Sequence, residues 1–177
     1  MNDFSVPETI NFQEAIALTQ SLLERLEQGS EEGIEAAVQK LTSSTPAARG
    51  FFVAYLTDDR FLADNPSEAV LRGLKSSPDI VAELLVKNLA MSSAMVVAHR
   101  RNSDLAMAKQ SERVSDRSLN LLKILQFPSV PELAGQLLNS ARTGSGQYES
   151  FLELWGYDAS QREAICQSLE LFLEALP

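Results

Sequence analysis

The sequence predicts an all-α protein: a single domain over residues 1–177, built as a bundle of seven to nine helices with one long central helical segment at about 78–126. Three observations carry that expectation. Apolar residues recur at intervals of three and four between breaks marked by proline and glycine, which is the spacing of one helix face. No stretch alternates apolar and polar residues with period two, as a half-buried strand would. From Asp79 to Phe127 there is neither glycine nor proline.

Each element has its own signal. Asn11 stands three residues before Glu14, the spacing of a capping box, and Phe12, Ala15, Ile16, Leu22, Leu23 and Leu26 follow at helical intervals up to Gly29. Ser30 is read as the start of a second helix that ends near Thr42. Thr45 and Pro46 give a cap and a first-turn proline for a third helix, with Phe51, Phe52 and Tyr55 on one face. Asn65-Pro66 opens a short helix to about Ser76, and Ser77-Pro78 opens the longest segment.

As a single helix, that segment would be about 70 Å long at roughly 1.5 Å per residue. A compact chain of this size is only about 40 Å across. A break is therefore expected near Asn102-Ser103, where the apolar pattern lapses into polar residues. Beyond Phe127-Pro128, Pro131 opens a helix to about Arg142, and Thr143 to Gly146 form a linker. A helix from about Gln147 to Trp155 ends at Gly156. Asp158, with Gln161 three residues on, caps a last helix that buries Ile165, Leu169, Phe172 and Leu176. If the domain subdivides, the division gives an N-terminal helical subdomain 1–77 and a C-terminal helical part 78–177.

Composition narrows the function. Apolar residues make up 45% of the chain, enough for a core, and the net charge of −9 disfavours nucleic acid or an anionic membrane as partner. The opening "MNDFSVPETI" has no basic start and no apolar run, so no secretory leader is expected. The most apolar stretch, Ile80 to Ala98, is interrupted by Glu83, Lys87 and Asn88 and reads as a buried helix. A cytoplasmic location follows as an expectation.

The motifs of common chemistry are missing. One cysteine, Cys166, and one histidine, His99, can supply neither a disulfide nor a structural zinc set. There is no phosphate-binding loop, and "GSGQYE" at 144–149 lacks the third glycine and the preceding strand of a dinucleotide site. Val96 stands where a helical di-iron site would place glutamate three residues before His99. Asp58 and Asp59 begin like a magnesium-binding D-D-x-x-D run, but Leu62 occupies its last position and the next acid is Asp64. No catalytic set, no metal and no cofactor is expected.

What stands out is charge segregation. Residues 100–123 hold six cations and three acids, whereas the rest of the chain is strongly acidic. Lys109, Arg113 and Arg117 follow at i, i+4 and i+8, one stripe on a helix, with Glu112 and Asp116 beside them. With His99, Arg100 and Arg101 they are the candidate contact or anion-binding residues. The leading expectation is a non-catalytic interaction or regulatory protein that self-associates or meets an acidic protein surface through this stretch. The acidic residues 1–35 and 146–177 are complementary to it, within the chain or across a dimer.

Two other readings stand beside this one. His99, Arg100 and Arg101 could form an enzyme or small-anion site, with His99 as base and Ser103 four residues on if the helix continues. Nucleic-acid binding is weaker, because only Phe127 lies near the stripe and no stacking platform exists. Ala90, Ala94 and Ala98, flanked by Met91 and Met95, read as core packing or as a dimer seam. Tyr148, Phe151 and Trp155 at i, i+3 and i+7 read as core or as one wall of an apolar pocket or groove.

Overall fold

The computed structural model describes residues 6–177, and among these it is all-helical, with nine helices and no strand. The reading of the first five residues as leader-free, and the acid at Asp3, lie outside the described residues. The chain forms two compact units, one ending at Leu84 and the other running from Leu85 to Pro177.

The first unit holds α1 (Phe12–Glu27), α2 (Ile34–Leu41), α3 (Thr45–Thr57) and α4 (Glu68–Leu74). The Asn11–Glu14 capping box forms with both of its hydrogen bonds, each 2.9 Å. The helix α1 then buries Ala15, Thr19, Leu22 and Leu23, an i, i+4, i+7, i+8 stripe packed chiefly on α3. Gly50 makes that contact close. A Cβ there would lie 2.4 Å from the Phe12 carbonyl oxygen and 2.7 Å from the Ala15 Cβ. Around it Phe51 stacks on Tyr55 with ring centroids 5.1 Å apart, and Phe52 meets Phe51 edge to face. The helix α2 packs on α4, where Gly73 lies against Val38 in the same way.

Three starts differ from the sequence reading. The helix α2 begins at Ile34, not Ser30, because Gly29 and Gly33 both take left-handed φ values, +78° and +76°, and the residues between form a turn. Ser44 caps α3, and Ser67 caps α4 by accepting the Val70 N–H. Both are extended at the cap, whereas the predicted caps Thr45 and Asn65 lie on either side of it.

The boundary between units falls within α5 (Pro78–Arg101). After it come α6 (Leu105–Leu125), α7 (Val130–Thr143), α8 (Glu149–Trp155) and α9 (Ala159–Glu174). The long glycine-free segment is thus two helices. The break is a turn in which Ser103 takes φ +57° and the Asp104 N–H donates to the His99 carbonyl. Asp104, rather than Asn102 or Ser103, caps α6 through the Met107 N–H.

The second unit's core is built from Leu121, Leu122, Leu137, Leu152, Ile165, Leu169 and Phe172, with α7 packed on α9. The predicted Asp158–Gln161 capping box forms. The chain's own α9 reaches the small-residue row of α5: the Gln161 side chain donates to the Ala94 carbonyl at 3.3 Å, and Ala90 and Ala94 are fully buried. By length and composition α5 could cross a membrane, and half of its most apolar window is buried inside the protein.

Candidate interaction site

The cationic stretch begins at the C-terminal end of α5, where positive side chains complement the helix dipole. His99 is half-buried and Arg100 and Arg101 are exposed. The two guanidiniums diverge. Arg100 pairs with Glu112 on α6, whereas Arg101 reaches Asp158, the N-cap of α9. Both oxygens of Asp158 accept from Arg101, one of them at 3.2 Å from Nη2. This is an intrachain form of the charge complementarity between 100–123 and 146–177.

The site around Asp158 is electrostatically set. Its carboxyl is pulled from the ordinary 3.8 down to about 2, first by the Arg101 hydrogen bonds and then by the Gln161 N–H. Desolvation pushes the neighbouring Tyr157 phenol up to about 12, so it stays protonated at neutral pH. A depressed carboxyl pKa stabilises the folded form at pH values above the unfolded pKa. That contribution is lost as the pH falls through about 2. Arg101→Ala should return Asp158 toward the ordinary aspartate range, read by NMR titration of its side-chain carboxyl. An Asp158 titration unmoved by this change would mean that Arg101 does not hold the carboxylate.

Farther along α6 the expected stripe does not stay on the surface. Lys109 is exposed, Arg113 is half-buried, and Arg117 is only 1% exposed, which corrects its reading as a contact residue. No buried side-chain nitrogen or oxygen among the described residues lacks a hydrogen-bond partner, so the Arg117 guanidinium is satisfied inside the protein. The His99–Ser103 pairing also fails, because α5 ends at Arg101 and Ser103 lies in the left-handed turn.

The aromatic trio separates as well. Tyr148 is buried and meets Phe151 edge to face at 6.3 Å, and the Lys87 ammonium sits over both rings at 5.6 and 5.3 Å. Trp155 is 48% exposed. Tyr148 and Phe151 thus form a two-ring cradle for Lys87.

Beside Trp155, seven other large apolar side chains are exposed among the described residues: Val53, Phe61, Leu105, Met107, Ile124, Leu154 and Leu171. Leu154 is 81% exposed, Leu105 72% and Met107 41%. Leu154 and Trp155 end α8 just before Asp158, while Leu105 and Met107 begin α6 just after Arg101. The Arg101–Asp158 pair joins the end of α5 to the start of α9.

Two clefts lie elsewhere in this unit. One, of about 490 Å³ along α7 and α9, is lined by Arg142, Arg162, Glu163, Cys166 and Glu170. Arg142 is engaged by Glu170, and Arg162 donates through Nε to the Tyr157 carbonyl. Burial, and then Glu163, push the Cys166 thiol up, so it is a poor nucleophile at neutral pH. The other, of about 320 Å³, is an apolar groove between Leu122–Pro131 and the last residues of the chain. His99 lines neither cleft. Among the described residues no group of three or more histidine, cysteine or acidic side chains could hold a metal.

Residues 11–172 match the family model described as "Uncharacterised conserved protein UCP020893". The chain belongs to this family. The match starts at the N-cap of α1 and ends at Phe172, the last buried side chain of α9, so the family's extent coincides with the helical core. No curated protein and no solved structure matches the chain.

Proposed function

We propose that this protein is a non-catalytic helical interaction protein that docks on another protein surface through the end of its second unit where α5 turns into α6 and α8 into α9. The observation that carries this reading is the exposure of Leu105, Met107, Leu154 and Trp155 on helix ends that lie close in sequence to the Arg101–Asp158 pair. At about 200 Å² for a large side chain, their exposures amount to roughly 500 Å² of apolar surface. Apolar surface of that order beside exposed charges is what a protein partner would cover. Arg100, Arg101 and Lys109 are exposed at the end of α5 and the start of α6, so the basic contact surface moves to the α5–α6 turn and no longer includes Arg117. The divergence of Arg100 and Arg101 onto different helices argues against an anion site around His99.

Trp155 is the chain's only tryptophan, which gives the reading a direct test. With 5-fluorotryptophan at this position, the ¹⁹F resonance should broaden or shift when the protein is placed in an extract of its own cells. The response should disappear in a Leu105→Glu, Leu154→Glu variant that keeps its helicity. A resonance identical in extract and buffer would remove the proposal.

A further inference from the structure

We infer that the cleft between α7 and α9 is a binding site for a small carboxylate, held by the Arg162 guanidinium. On α9, Ala159, Arg162, Glu163, Cys166 and Glu170 recur at intervals of three and four and so share one face. Ala141 and Arg142 of α7 lie across from them, and the space between is about 490 Å³. That volume falls within the ~300–1,000 Å³ of small-molecule sites. The short side chains of Ala141 and Ala159 leave room in it, and buried Cys166 forms part of its wall.

The two arginines of the cleft differ in what they still have to offer. Arg142 is engaged by Glu170. Arg162 is half-buried, and its Nε donates to the Tyr157 carbonyl at 3.2 Å, which fixes the plane of the guanidinium. Its Nη1 lies 3.8 Å from the place a Cβ on Gly144 would take, so the group reaches from α9 to the end of α7. Neither Nη group has a hydrogen-bond or ion-pair partner among the described residues. A planar fork held in this way is matched by the two oxygens of one acid group. The surroundings choose a carboxylate over a phosphate. Arg142 and Arg162 are balanced by Glu163 and Glu170, and exposed Glu163 stands next to the fork. A phosphate dianion would meet that carboxylate with about twice the charge of a monoanion. The Cys166 thiol, pushed up by burial and then by Glu163, is uncharged at neutral pH and does not oppose either.

Titration of the ¹⁵N-labelled full chain with butyrate, benzoate and inorganic phosphate, at matched ionic strength, tests this. The Arg162 Nε–Hε resonance, shielded from exchange by the Tyr157 carbonyl, is one reporter, and the Cys166 backbone amide is a second that survives replacement of Arg162. Both should move saturably with butyrate and benzoate, and phosphate should bind more weakly than either. Arg162→Gln should weaken carboxylate binding by about 10-fold or more, the effect of losing a charge-assisted hydrogen bond. Arg162→Lys should regain only part of it, because an ammonium keeps the charge without the fork. Glu163→Gln should tighten binding by about 2-fold, since it removes a neighbouring like charge. Circular dichroism reports whether each variant keeps its helices. If Arg162→Gln does not, Glu163→Gln decides, because it leaves the fork in place. No saturable shift with either carboxylate overturns the inference, as does phosphate binding as tightly as they do. Carboxylate binding that a folded Arg162→Gln leaves unchanged, or that Glu163→Gln fails to tighten, overturns it too.

Discussion

Gly50→Ala is expected to lower the stability of the first unit by about 1–3 kcal/mol, although alanine is the better helix former by roughly 1 kcal/mol. The added methyl would sit 2.4 Å from the Phe12 carbonyl oxygen and 2.7 Å from the Ala15 Cβ, both in the first turn of α1. Neither can swing aside, one being helix backbone and the other a Cβ fixed to it. The helices must separate, and the loss spreads to the fully buried Leu22, Leu23 and Phe51 beneath. Gly135 is the internal control. It lies inside α7, and nothing stands within 4 Å of its would-be Cβ. Gly135→Ala should therefore raise stability by about 0.4–1 kcal/mol, since it meets no clash and restricts the unfolded chain. Urea titrations followed by far-ultraviolet circular dichroism should move the two midpoints in opposite directions. If both substitutions stabilised alike, α1 and α3 would not be in the close contact described.

The helix ends that were legible in the sequence are those whose signals act within one turn. Asn11 with Glu14 and Asp158 with Gln161 each form a complete capping box because both partners lie three residues apart, whatever the rest of the chain does. The break after Arg101 was legible because the apolar pattern lapses there. What the sequence hid depends on distant chain. Arg101 and Asp158 are 57 residues apart, and no local spacing announces that they meet. Exposure is hidden in the same way: Leu105 and Leu154 read as ordinary apolar positions in the sequence, yet both are exposed.

The misreading of Arg117 has a different cause, which lies in helix geometry. Each residue advances about 100° round an α-helix, so a step of four residues overshoots a full turn by about 40°. Lys109, Arg113 and Arg117 are therefore not one straight stripe but a row winding round α6. Its next members, at the same interval, are Leu121 and Leu125, both buried. The row starts on the exposed side at Lys109, passes half-buried Arg113 and is inside by Arg117. Extending the spacing two steps would have placed Arg117 on the apolar face.

That position makes Arg117→Ala the substitution with the largest expected cost. Arg117 is the largest fully buried side chain among the described residues, at 1% exposure. Truncation leaves a cavity and strands the interior groups that now satisfy its guanidinium. Removing one member of a buried charged arrangement costs about 3–5 kcal/mol, because what remains is desolvated and uncompensated. Arg117→Lys should recover only part of this, since an ammonium keeps the charge but not the five donors in a planar fork. The combined Arg100→Ala, Arg101→Ala change is the contrast. Both side chains are exposed and their ion pairs are open to solvent, so the melting temperature should barely move even though the charge lost is twice as great. Thermal melts of the three variants side by side decide it. An Arg117→Ala protein that melts with the wild type would mean that this guanidinium contributes nothing to the interior, and the cations of α6 would again have to be read as a surface.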